Sequence, residues 1–244
     1  MNKRVVKNEF YYPSKDGTTQ IHAIEWIPDG KVAAVLQMCH GMVEHIDRYD
    51  EFARFLAEKG YYVILVGRNK KKLEGAVEIL RTLGGEAEAY SCDVSDRENC
   101  FALAKRASEC GKVKAVLHIA GMSPHMGDEE KIMQANAMGT ININDAFYGV
   151  IAEGGCVIDT SSTSAYMAPA FIMPKRIYPL ACKDRELFFR KIMKRVNLFP
   201  KKTREGVTYS ISKHFTIWFA KQDAARYAKK NARVLSITPG NFET

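Results

Sequence analysis

Apolar and polar positions repeat along this chain with two different periods, and their order predicts its elements. The runs NEFYYP and TTQIHAIEWI, within residues 8–27, are aromatic and β-branched, and SKDG between them signals a turn, so a hairpin is expected. Val32–Met38 is a continuous apolar run, as in a strand covered on both faces, and Tyr61–Val66 is a second. Between them Tyr49, Phe52, Ala53 and Leu56 recur at helical spacing, with Lys59 and Gly60 as a C-terminal stop. Further on, helices are expected at Lys70–Leu83, Asp96–Cys110, Glu130–Ile151 and Tyr209–Lys229. Strands are expected at Ala87–Cys92, Ala115–His118, Cys156–Thr160 and Arg233–Thr238. This alternation predicts an α/β fold with a doubly wound parallel sheet and helices on both faces. Met167–Val207 is too long for an ordinary loop and is expected to carry a helix of its own (Asp184–Val196) and a function. No repeat, low-complexity tract or linker divides the chain, so residues 1–244 read as a single domain.

Composition changes this picture little. The chain has 244 residues, 46% hydrophobic and 26% charged, which excludes a disordered tail, a collagen and a disulfide-dense mini-protein. The net charge of +8 is spread along the chain and broken by acids, so it reads as a solvated surface and not as a nucleic-acid patch. It suits a polyanionic small molecule such as a dinucleotide. Cys39, Cys92, Cys100, Cys110, Cys156 and Cys182 show no CxxC and no metal-type spacing, which points to reduced thiols in a cytoplasmic protein with no metal site. No apolar run is long enough to span a membrane, and the N-terminus has no signal core.

The strongest chemical signal is Tyr209-Ser210-Ile211-Ser212-Lys213. A Tyr and a Lys four apart on a helix share one face. An ammonium beside a phenol favours the phenolate, which equips the phenol to trade a proton with a carbonyl or alcohol oxygen. Alone, this pair is common. Asp159-Thr160-Ser161-Ser162 closes a buried strand upstream, where a hydroxyl meets the crevice in which open α/β sheets bind ligands. His118-Ile119-Ala120-Gly121 closes another, with small residues that let a ligand approach the backbone. Asn136 lies on a helix, in QANAMGT.

Together these pieces resemble the short-chain dehydrogenase/reductase family, in the family's order and over about residues 60–244. Val66-Gly67-Arg68-Asn69 follows the second strand and Asp93-Val94 the third. HIAG stands where the family usually has NNAG, Asn136, Ser162, Tyr209 and Lys213 match its catalytic tetrad, and Pro239-Gly240 follows the sixth strand. The resemblance implies a three-layer Rossmann-like fold and hydride transfer between a nicotinamide and a carbonyl or secondary alcohol. Tyr209 would be the general acid/base, and Lys213 would tune it and hold the nicotinamide ribose. Ser162 would hydrogen-bond the substrate oxygen, and Asn136 would support a water-linked relay. Asp93 and Val94 would border the adenine, and Ala120 and Gly121 would line the cofactor. Pro239 and Gly240 would shape the nicotinamide end, with Thr244 reaching the carboxamide. An acid usually ends the second strand in NAD-using members; Gly67 and Arg68 stand there, and a guanidinium suits a 2′-phosphate, so NADP is expected over NAD. The stretch between Ser162 and Tyr209 is far longer than in a plain member. With HIAGMSP, it resembles bacterial hydroxysteroid dehydrogenases and carbonyl reductases, which fits a lid or a homo-oligomer contact and admits a steroid-like carbonyl or alcohol substrate without singling one out.

Two regions depart from the family. Its TGxxxGxG loop, which lets backbone meet pyrophosphate, is replaced by Cys39-His40-Gly41-Met42-Val43-Glu44-His45-Ile46-Asp47-Arg48-Tyr49, where only Gly41 could serve and Glu44 and Asp47 bring negative charge. HGMVEHIDRY instead resembles the N-terminus of α/β-hydrolases of the monoacylglycerol lipase type, over about residues 8–60; there Met42 would offer its backbone N–H to an oxyanion. No G-x-S-x-G follows, so an esterase is a remote reading. The chain thus reads as a hybrid. Residues 1–60 are hydrolase-like and residues 61–244 reductase-like, with an insertion at 167–207. A catalytically impaired scaffold is the alternative to a working reductase. The hairpin and the Ala87–Cys92 strand would compete for one edge of Tyr61–Val66, and the reductase strand is expected to win. The sequence stops shortly after Pro239-Gly240, so a truncated C-terminal end with an exposed Arg233–Thr238 edge is expected.

Overall fold

A computed structural model describes residues 5–13, 20–28, 62–68, 73–74 and 87–240. The Val32–Met38 run, the 39–49 loop with Gly41, most of the 70–83 helix and Thr244 lie outside the described residues. The chain separates into two compact units, one reaching to Ser91 and the other comprising Cys92–Asn241.

In the first unit, β1 (Val5–Pro13) and β2 (Gln20–Pro28) pair antiparallel, Val5 opposite Pro28 and Pro13 opposite Gln20. This is the hairpin that the alternating aromatic runs predict. β3 (Val63–Gly67) pairs in parallel with β4 (Ala87–Ser91), Val63 opposite Ala87 and Gly67 opposite Ser91. Among the described residues β1 and β2 form a sheet of their own, and it is β4 that lies beside β3, as the competition for that edge anticipates.

The second unit holds a three-stranded parallel sheet in the order β5 (Val113–His118), β6 (Ile151–Thr160), β7 (Arg233–Ile237). The connections are helical, as parallel strands require. Before β5 comes α1 (Arg97–Cys110), whose first turn is capped by Asp96 accepting from the Asn99 N–H at 3.0 Å. Between β5 and β6 the chain forms α2 (Glu129–Met133), a π-helical turn at Gln134–Met138 and α3 (Gly139–Tyr148), where the sequence predicts one unbroken helix. After β6 come the short α4 (Ser164–Met167), a 3₁₀ turn at Tyr178–Cys182, α5 (Arg185–Val196) and the 28-residue α6 (Lys201–Ala228).

The inserted segment is folded. Asp184 caps α5 by accepting from the Leu187 N–H at 2.9 Å, and Lys194 and Arg195 sit in its last turn, where cations favour the helix dipole. Phe188, Ile192 and Val196, spaced by four, form its buried stripe and pack with Ile141, Ile211, Phe215 and Phe219. Tyr178 is fully buried against Phe215, ring centroids 5.3 Å apart, and burial holds its hydroxyl protonated well above the ordinary range. This core packs against α6 through Ile211, Phe215 and Phe219. No described helix is long and apolar enough to cross a membrane.

Candidate active site

The site is built on α6. Tyr209 and Lys213 lie one turn apart on it, and the Lys213 ammonium is 5.8 Å from the centre of the Tyr209 ring. Tyr209 is half-buried, whereas Lys213 is only 6% exposed, so its charge has little water to draw on. Lys213 Nζ donates to the Thr160 carbonyl at 2.8 Å. Burial pushes the Lys213 ammonium down to about 8, and the charge of Asp159 works against that loss.

The end of β6 is tied to the same turn. Ser161 Oγ donates to the Lys213 carbonyl at 2.7 Å, and the Ser161 N–H donates to the Ile237 carbonyl at 2.7 Å. Ser162 follows directly, half-buried, its Oγ accepting from the Ser164 N–H and paired with Ser164 Oγ, both at 3.2 Å. The Thr163 N–H donates to the Pro239 carbonyl at 3.0 Å, and a Cβ on Gly240 would stand 3.4 Å from Thr163 Cγ2. The Pro239-Gly240 segment is therefore held beside Ser162.

Asn136 is the residue the π turn serves. It is 2% exposed, and its side chain is fully engaged. Oδ1 accepts from the Met122 N–H at 2.7 Å, while Nδ2 donates to the Met122 carbonyl at 2.9 Å and to Ser212 Oγ at 3.0 Å. Ser212 Oγ in turn donates to the Tyr209 carbonyl at 2.8 Å. The amide thus clamps the loop after β5 onto the turn of α6 that bears Tyr209 and Lys213, a use for which π turns are often retained. Gly121 is what permits this. A Cβ there would come within 2.8 Å of Asn136 Oδ1 and 3.2 Å of Lys213 Nζ. The small residues of HIAG, expected to make room for a ligand, make room first for the protein's own side chains. Ala120 beside it is exposed.

Asp93 and Val94 form a separate pinned corner. Asp93 Oδ1 accepts from the Ser95 N–H at 2.9 Å and from Ser95 Oγ at 2.6 Å, and the Val94 carbonyl accepts from Asn142 Nδ2 at 3.0 Å. Gly139 brings α3 close, since a Cβ there would meet Val94 Cγ2 at 2.9 Å. Arg68 is exposed just after β3, in the other unit. The structure also brings out polar groups that the sequence passes over. Ser212 and Thr160 bond directly to the site residues, and His118 Nδ1 lies 3.0 Å from Asp159 Oδ1 in a buried pair beneath them. Among the described residues no group of three or more His, Cys, Asp or Glu side chains is placed to hold a metal ion.

Residues 50–174, half of the chain, match the short chain dehydrogenase family. The chain belongs to that family. It is 26% identical over 202 residues to an uncharacterized oxidoreductase of Bacillus subtilis, covering 79% of this chain and 62% of that protein. The chain spans less than two thirds of the length of such curated relatives. Its fold is Rossmann-like, as in a short chain dehydrogenase from Mycobacterium smegmatis, with a TM-score of 0.57 at 18% identity over 78% of this chain and 70% of that one. An actinorhodin polyketide ketoreductase with NADPH gives a TM-score of 0.55 at 20% identity, over 78% of this chain and 64% of that one.

Proposed function

We propose that the chain is a nicotinamide-dependent oxidoreductase that interconverts a carbonyl and a secondary alcohol, with NADP favoured over NAD. The observation that carries this reading is a half-buried phenol beside a nearly fully buried ammonium, on a helical turn bonded to the strand end that bears Ser162. Family membership supports the reaction class. A nicotinamide dinucleotide bound at this site supplies or accepts the hydride.

The described residues fit the nicotinamide end of such a group. Pro239-Gly240 is held next to Ser162, and Ala120 is exposed next to Gly121. Lys213 would hold the ribose, Ala120, Gly121, Pro239 and Gly240 would shape that end, and Asp93 and Val94 would border the adenine. The exposed guanidinium of Arg68 supports a 2′-phosphate partner. Ser162 would orient the substrate oxygen and Tyr209 would give it a proton or take one from it. Lys213 stabilises the charge that forms when the proton leaves, and Asn136 keeps both side chains in register through Met122 and Ser212. Tyr166, Met167 and Phe171 are exposed to 66%, 79% and 81% just after Ser162, which supports a bulky apolar substrate such as a steroid-like ketone.

The test is turnover of a panel of ketones with NADPH by the wild-type chain and by Tyr209→Phe. Removing the phenol proton should lower kcat by about a hundredfold or more while the cofactor still binds. Equal turnover by the variant would overturn the assignment of Tyr209.

A further inference from the structure

Behind the site lies a polar pair that the proposed chemistry does not use. His118 is the last residue of β5 and Asp159 stands opposite it in the parallel register of β6. Both are buried, Asp159 completely and His118 to 6% exposure, and Nδ1 of the ring is 3.0 Å from Asp159 Oδ1. Asn144 Nδ2, on α3, donates to the other carboxylate oxygen at 2.9 Å. A carboxylate this deep is tolerated only where its oxygens meet donors and an opposite charge is near. His118 and Asn144 provide the donors. The opposite charge is Lys213, whose Nζ bonds to the carbonyl of Thr160, the residue after Asp159.

The same requirement holds from the lysine's side. An ammonium with 6% exposure and one carbonyl acceptor is short of solvation. Asp159 is the charged side chain whose field reaches it and opposes its loss of the proton. The other titratable groups facing Asp159 are Cys156 on β6 and Asp223 and Tyr227 on α6. Cys156 and Tyr227 are held protonated by burial, and Asp223 is bonded to Arg226 at 2.8 Å. None of these supplies a cation close to Asp159, so among the described residues Lys213 is the cation within reach of its field, and His118 and Asn144 are its side-chain partners.

We propose that His118 and Asp159 form a positioning pair for Lys213: Asp159 is the buried counter-charge that lets the ammonium persist next to Tyr209, and His118 fixes that carboxylate by donating Nδ1–H. Neither residue touches substrate or cofactor. They act through the lysine, and the link from lysine to turnover rests on the oxidoreductase reading above. The pairing also accounts for a histidine in the HIAG motif. His118 Nε2 is buried without a hydrogen-bond partner among the described residues, so only Nδ1 ties the ring to its surroundings. A ring added for packing alone has no need of a carboxylate opposite it.

The experiment follows the titration of Lys213 itself and needs neither cofactor nor substrate. The chain is labelled with carbon-13 at the lysine ε-carbon, the Lys213 resonance is assigned by its absence in Lys213→Met, and its shift is followed against pH. In the wild type the midpoint should lie near 8. In Asp159→Asn, which keeps the shape and one acceptor oxygen while removing the charge, it should fall by about one pH unit or more. A midpoint unchanged by Asp159→Asn would overturn the proposal even if stability or turnover dropped. Should that variant not fold, the carboxyl carbon of Asp159 in labelled wild-type chain decides the matter. A shift showing the carboxylate ionised throughout the titration of Lys213 supports the pair, and a shift showing it protonated at neutral pH overturns it. If turnover is absent but the Lys213 midpoint moves as expected, the oxidoreductase reading fails and the pair stands.

Discussion

At the scale of single residues, Asn136 and Lys213 are the side chains of the site with almost no slack. Lys213 makes this measurable without any ligand. Its folded value is depressed to about 8 from 10.5, so between those values the unfolded chain binds a proton that the fold has released, and stability rises with pH across that window. Below it both states hold the proton and the full penalty of burying the charge applies. Urea melts of the wild type and Lys213→Met should therefore converge on the wild type's side by about 3 kcal/mol between neutral pH and the alkaline end of the window. A difference that stays flat with pH would contradict the burial of a charged Lys213. Gly121 gives a second test. With a Cβ placed 2.8 Å from Asn136 Oδ1, Gly121→Ala should displace the amide and the ammonium together and lower kcat at least about tenfold, for about 1–3 kcal/mol of stability. Unchanged kcat would show that the clamp on Met122 is not needed.

At the scale of elements, much of this was legible and some was not. Apolar runs located β3 and the second half of β6, the β/α alternation placed β4, β5 and β7 between helices, and the SKDG turn located the β1–β2 hairpin. The helices expected from Asp96 and from Asp184 begin one residue on, at Arg97 and Arg185, each capped by that acid. The start of α6 was missed. The helix begins at Lys201 behind Pro200, well ahead of Tyr209, because KKTREGVT carries no apolar period and Gly206 argues against helix. Gly206 has open space where a side chain would be, so the helix passes through it. The π turn was illegible too, since it answers to the bonds of Asn136 with Met122 and Ser212, partners far away in sequence. The His118–Asp159 pair, likewise, exists only because register places two strand ends side by side. The inserted segment belongs to this scale as well. Phe188 is fully buried at 4.7 Å from Phe215, and Phe188→Ala should cost about 3–5 kcal/mol, read by urea denaturation. A loss below about 1 kcal/mol would show that α5 is not part of the core that holds α6.

At the scale of the whole molecule, the second unit carries the four residues that match the family's tetrad, the Asp93-Val94 corner and the Pro239-Gly240 segment. The first unit carries Arg68, and the sequence there lacks the glycines that bring backbone to a pyrophosphate. On the proposed reading, cofactor affinity falls to the nicotinamide and adenine ends, and Arg68 is the residue proposed to choose between the two nucleotides. What we propose above all is that the chain binds a nicotinamide dinucleotide. A fluorescence titration of the full chain with NADPH, run beside NADH, tests it most directly. Binding should be saturable and tighter for NADPH, with that preference lost in Arg68→Ala. No saturable signal with either nucleotide up to millimolar concentration would contradict it.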